Sequence, residues 1–248
     1  MPGLDPRTRR FRDVLGAVAD ADARLFDGPG TTVVGEEGRA GSSAASAYCV
    51  GAHTLVRCDP AVADRVRHLL VDGPATTIDL DRFEELLRPV AETMHGRGLV
   101  HIMRDLTEMR PGGPAADVQV IDRIADRRLI ADLVAVDEEG ADEAEIDLDG
   151  LDDRIVGIVE GGVLVAYASE CPWDSDAAFA DIGVMTHPDH RGRRLGHAVV
   201  AAVTEAIEEA GRIPMYRCNV DNAASHALSQ AVGFSRVAVL AAVSLLPS

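Results

Sequence analysis

Three arginines and two glycines crowd together at Arg191, Gly192, Arg193, Arg194 and Gly196, just beyond an apolar run that ends at Thr186. Pro188 blocks continuation of a strand there. The spacing that follows, Leu195, Val199, Ala202, Val203, Ala206 and Ile207, is helical. A helix that opens straight out of such a turn offers unpaired N–H groups and a partial positive charge, worth about 0.3–2 kcal/mol to an anion. The glycines let the backbone of residues 191–196, Leu195 included, come close, and the guanidinium groups add formal charge. That combination suits a pyrophosphate. The alternative is a plain strand-to-helix loop whose arginines are incidental.

Other residues carry possible chemistry nearby. Asp181 near the start of the strand and Glu170 at the end of the preceding one are carboxylates that could act as a general base, or equally be solvated strand-end charges. Asn222 and Ser225 open the next helix, where a side-chain cap is the simplest role for Asn222. His187 and His190 stand at i, i+3 without further ligands in sequence and read as loop residues, so no metal is expected.

The elements that must position these groups follow from periodicity and punctuation. Residues 5–27 read as a helix stopped by Gly28-Pro29-Gly30, 47–57 as a strand or hairpin, and 59–70 as a helix capped by Asp59. A second helix is expected from Asp79 to about Met94, then a short strand from Gly98 to Met103. Pro111-Gly112-Gly113-Pro114 is the strongest punctuation in the chain and sets an expected boundary, giving domains at 1–115 and 116–248. Beyond it lie a strand at 118–124, a helix at 126–136, and an acidic stretch, Asp137 to Asp153, with ten Asp or Glu and no base. That stretch lacks the ligand spacing of a calcium loop and reads as solvated helix and loop. Strands at 154–160 and 163–170 flank Gly161-Gly162, a hairpin turn. Strand 179–186, helix 192–210, strand 215–218, helix 222–232 and a final strand from Phe234 complete a mixed α/β (α+β) pattern, a sheet covered by helices.

Composition bounds the function. A chain of 248 residues can bury roughly 70–75% of its unfolded surface. With 24 Lys+Arg against 41 Asp+Glu, a net charge of −17 repels phosphate backbones and argues against nucleic acid. The four cysteines have no CxxC spacing and read as reduced thiols. No apolar run has the length of a signal peptide or membrane span, so a cytoplasmic protein without membrane partners is expected.

The segment Asp181 to Gly196 resembles the signature of the GNAT superfamily, a strand followed by Q/R-x-x-G-x-G/A. Arg191 and Gly196 match its ends, while Arg194 stands where the middle glycine is usual. Asn219 through Ser225 and Leu228 to Gly233-Phe234 is similar to the family's N-x-x-N-x-x-A/S-x-x-L…G-F block. The resemblance covers about half the chain, roughly Val118 to Ser248. It implies a mixed sheet with two splayed parallel strands and acetyl-CoA, or another acyl-CoA, as co-substrate. Backbone of Val184, Met185 and Thr186 would take the pantetheine arm, residues 191–196 the pyrophosphate, and Asn222 and Ser225 would face the arm. Gly183 and Pro214 fit a close ligand approach and a parting ladder.

By the same resemblance the reaction is N-acyl transfer by direct attack of an amine in a ternary complex, with Asp181 or Glu170 as base. The family's usual tyrosine acid aligns with Ser229, leaving that role to Cys218, to water, or to no group. The acceptor is an amine of a small molecule or peptide, cationic if the acidic stretch lines its site. A non-catalytic acyl-CoA-binding regulatory module is the alternative. Residues 1–115 read as an accessory domain or a degenerate GNAT-like copy. The last strand completes its own sheet or pairs with a second subunit as a homodimer.

Overall fold

The computed structural model describes residues 4–71, 77–110, 112, 117–149, 154–173 and 176–246. The expected boundary at residues 111–114 and the end of the acidic stretch fall largely outside these. The chain divides into two compact units, one of residues 1–100 with 236–248 and one of 101–235. That division differs from the expected 1–115 and 116–248 in two places: residues 101–115 go with the second unit and the last strand with the first.

In the first unit, α1 (Pro6–Ala17) is capped by Asp5, whose carboxylate accepts the Thr8 N–H at 2.9 Å. The helix expected to run to Asp27 stops early. Val18 and Ala19 leave the helix, Asp20 turns to φ 54°, and a 3-10 turn covers Ala23–Asp27. Strands β1 (Gly30–Gly35), β2 (Ala44–Val50) and β3 (His53–Cys58) follow, β2 and β3 being the expected hairpin around Gly51 at φ 60°. Asp59 caps the next turn through the Ala61 N–H, leading into α2 (Ala63–Leu70).

The helix expected to reach Met94 ends as α3 (Leu80–Leu87). Pro89 lacks an N–H and turns the chain through a 3-10 step into a long strand, β4 (Ala91–Ile102), that begins seven residues before the expected Gly98. The sheet order is β1-β3-β2, then β10 (Ser235–Leu245), then β4. β10 runs antiparallel to β2, Val239 opposite Cys49 and Val243 opposite Ala45. Val66, Leu70, Phe83 and Leu87 press this sheet's apolar face, formed by Val56, Ala45 and Val243 among others.

The second unit is a sheet ordered β9-β8-β7-β6-β5. Its strands are β5 (Val118–Val120), β6 (Arg154–Glu160), β7 (Val163–Pro172), β8 (Phe179–Thr186) and β9 (Ile213–Asn219). The β6–β7 hairpin turns at Gly161 and Gly162, φ 58° and 84°, as two adjacent glycines require. Helices α4 (Arg127–Val136) and α5 (Glu138–Glu143) belong with one face, where Ile130, Leu133, Tyr167 and Met185 cluster. Helices α6 (Leu195–Glu209) and α7 (Ala223–Val232) belong with the other, where Val199, Val203, Ile182, Ala180, Tyr216 and Val232 cluster. Among the described residues β8 and β9 pair parallel, while β5–β6, β6–β7 and β7–β8 pair antiparallel, so the sheet is mixed. Among the described residues no helix is long and apolar enough to cross a membrane.

Candidate acyl-CoA site

β8 and β9 pair over three residues only, Phe179 with Ile213, Ala180 with Pro214 and Asp181 with Met215. Beyond Asp181 the described ladder stops, although β8 stays bonded to β7 through to Thr186 opposite Ala166. Pro214, without an N–H, sits one residue before the last pair, and its carbonyl accepts the Met103 N–H at 3.0 Å. Val184 and Met185 send their side chains to opposite clusters and leave the strand edge as backbone. Backbone N–H and C=O groups without a ladder partner suit an extended amide-bearing ligand.

After Thr186 the chain turns sharply. The His187 ring accepts the Asp189 N–H at 3.2 Å and Pro188 starts a 3-10 turn. Gly192 adopts φ 77°, which needs glycine, whereas a Cβ there would meet open space. Gly196, buried in the first turn of α6, is small for a different reason. A Cβ there would lie 3.2 Å from Thr186 Oγ1 and 3.3 Å from Leu228 Cδ2. No side chain caps α6. Arg194, at the position of the usual middle glycine, is itself left-handed at φ 60°, ψ 21°. That explains the glycine preference there: an arginine must take a conformation unfavourable for a side chain.

The three arginines are not equivalent. The Arg191 guanidinium pairs with Asp137 at the α4–α5 junction and reaches the Thr186 carbonyl at 3.3 Å. Arg193 makes two bonds to Glu160, 2.7 and 2.9 Å. The expectation that all three offer charge to a ligand is thus altered, since only Arg194 lacks an ion pair among the described residues. The Asp137 carboxyl is held below its usual range by the Gly140 N–H and then by Arg191. Arg193 does the same to Glu160.

Asn222 caps α7 by accepting the Ser225 N–H at 2.9 Å and donates to Glu143 of α5 at 2.5 Å. Ser225 Oγ lies 2.8 Å from the Tyr216 hydroxyl. Tyr216 and Cys218, two apart on the parted section of β9, share the α7 face; burial pushes both the phenol and the thiol up. Tyr216 was not singled out from sequence, though its period-2 spacing from Cys218 carried the signal. Ser229 is fully buried and donates to the His226 carbonyl at 2.8 Å, an ordinary back-bond within α7.

The two candidate bases lie on opposite faces. Glu170 stands opposite Ile182, and Asp181 opposite Cys171, so their side chains alternate. Glu170, 1% exposed, pairs with Arg212 at 2.8 Å near the end of α6. Asp181, 9% exposed, accepts from Arg217 Nε at 2.5 Å on the α5 side, and Arg217 reaches on to Glu145 at 3.2 Å. Burial raises the Asp181 carboxyl, against the pull of Arg217.

Comparison with known proteins bears on the fold. The FR47-like protein family model matches residues 155–241. A GNAT-family acetyltransferase from Colwellia psychrerythraea has the same fold over 99% of this chain and 75% of its own, with a TM-score of 0.51 at 12% identity. A GNAT-family protein from Novosphingobium aromaticivorans is similar over 62% of this chain at 20% identity and a TM-score of 0.47; the match spans just under two thirds, 65%, of its length. A GCN5-related N-acetyltransferase from Kribbella flavida is similar over 66% of this chain and 63% of its own, at 18% identity and a TM-score of 0.48. No curated protein matches the sequence. Residues 155–241 are thus similar to the FR47-like family, and the chain has the fold seen in a GNAT-family acetyltransferase.

Proposed function

We propose that the protein is an acyl-CoA-dependent N-acyltransferase that uses acetyl-CoA and acetylates an amine of a small molecule or peptide. The observation that carries this reading is the parting of parallel β8 and β9 after Asp181 and Met215, next to a glycine-bearing turn into the uncapped α6. An acyl-CoA supplies the acyl group as a thioester. Backbone of Val184, Met185 and Thr186 holds the extended arm, and the N–H groups of residues 192–196 hold the pyrophosphate, with Arg194 adding charge. Asp181 takes the proton from the attacking amine; burial has raised its carboxyl, which makes it a stronger base than an ordinary aspartate. Glu170, buried on the other face with Arg212, is structural.

Titration calorimetry with acetyl-CoA, on wild type, Arg191→Ala and Gly196→Asp, tests the site, and thiol release with a panel of amines tests the chemistry. Saturable binding lost in Gly196→Asp, with turnover of some amine, is expected. A folded wild type that binds no acetyl-CoA refutes the reading. The engagement of Ser229 within α7 favours the second reading, a non-catalytic acyl-CoA-binding module. Binding with no turnover on any amine is its signature.

A further inference from the structure

Four contacts run from one short acidic segment to both sides of the parted strands. Asp137 pairs with Arg191 on the pyrophosphate turn, and Glu143 accepts from the Asn222 amide at the start of α7. Directly after Glu143, the Ala144 carbonyl lies against Gly183 of β8, and Glu145 pairs with Arg217 of β9. The segment carries Glu138, Glu139, Asp142, Glu143 and Glu145 with no basic residue to offset them. Arg191 and Asn222 are two of the groups that the family resemblance assigns to the ligand. Each is already engaged, and by a carboxylate.

We propose that residues 137–145 form a latch that competes with the ligand, Asp137 for Arg191 and Glu143 for Asn222, and that acyl-CoA enters by displacing these two carboxylates. A pyrophosphate is a stronger partner for the guanidinium than a single carboxylate, and its charge repels Asp137. Arg191 is 56% and Asp137 22% exposed, and exposed Glu143 meets half-buried Asn222, so both contacts are partly solvated and cheap to break. Ala144, 5% exposed and set against Gly183, stays as the anchor. Asp137, extended at φ −159° between the two helices, is the hinge. The latch therefore couples ligand binding to movement of α5 over the face that holds Asp181. This inference rests on the acyl-CoA reading of the site.

The test is acetyl-CoA titration of the full chain as wild type and as the double variant Asp137→Asn, Glu143→Gln. Asn at 137 can still accept the Gly140 N–H and Gln at 143 can still accept from Asn222, so the fold is kept while the competing charges go. Each exposed pair is worth no more than about fivefold in binding, so the double variant is expected to bind acetyl-CoA about threefold to twentyfold more tightly. Hydrogen exchange at 137–143 should speed up in the wild type when acetyl-CoA binds. A wild type that binds while the variant binds equally or less well overturns the latch and leaves the site standing. Binding by the variant alone supports the latch. If neither binds, the acyl-CoA reading fails and the latch fails with it.

Discussion

Gly183 lies directly under the carbonyl of Ala144, and a Cβ on residue 183 would stand 2.3 Å from that oxygen. The glycine admits the loop after α5, part of the chain's own acidic segment, onto β8. Gly183→Ala forces the loop away and should cost about 1–3 kcal/mol, as overpacked positions do. Urea unfolding measures this. Acetyl-CoA affinity should hold or rise in the same variant, because the displaced segment is the one that holds Arg191 and Asn222. Loss of affinity with unchanged stability would mean instead that the glycine makes room for ligand.

Arg194 gives a prediction with two opposite signs. A left-handed arginine is strained by about 1–2 kcal/mol, while glycine loses about 0.5–1 kcal/mol through its freer unfolded chain. Arg194→Gly should therefore stabilise the domain by about 0.5–1 kcal/mol in urea unfolding. It also removes the cation of the turn that makes no ion pair among the described residues, so acetyl-CoA affinity should fall and its salt dependence weaken. A variant that gains both stability and affinity would show that Arg194 plays no part in binding.

Asp181 and Glu170 separate cleanly because they face opposite ways. Asp181→Asn should lower turnover about 100-fold or more with acetyl-CoA binding kept, the scale of a general base. Burial raises this carboxyl, so the acid limb of wild-type turnover should lie above the ordinary value of about 3.9, and the residual activity of the variant should lose that limb. The sign for stability follows. A folded-state pKa above the unfolded one favours the fold below the unfolded pKa, and that advantage is lost as pH rises through the folded value. Glu170→Ala should leave the pH profile in place and cost up to about 3 kcal/mol of stability by removing a buried carboxylate that pairs with Arg212.

The elements around the candidate site were legible in the sequence because their signals are local. Pro188, Gly192 and the spacing from Leu195 to Ile207 specify a strand, turn and helix within about twenty residues, and the Gly161-Gly162 hairpin does the same. The failures have physical causes. Pro89 interrupts an apolar pattern that otherwise reads as one helix, and the polar first half of β4 hides a strand. β10 gives no local sign that its partner is β2, almost two hundred residues earlier. The Arg191–Asp137 and Asn222–Glu143 pairs join positions 54 and 79 residues apart, and no spacing rule exposes such contacts.

The cysteines offer a chemical check on the cleft. Cys171 is exposed, Cys49 and Cys218 are half-buried with thiols pushed up by burial, and burial pushes buried Cys58 up to about 11. Thiolate supply and access both set the alkylation rate, so Cys171 should react first and Cys58 last in the folded protein. Cys218 lies on the parted section of β9, packed towards α7, where Ser225 holds Tyr216. Acetyl-CoA bound between the strands should slow alkylation of Cys218 severalfold and leave Cys171 unchanged, read by mass spectrometry of labelled peptides. Equal protection of both thiols would indicate general tightening of the fold, and protection of neither would place the ligand elsewhere.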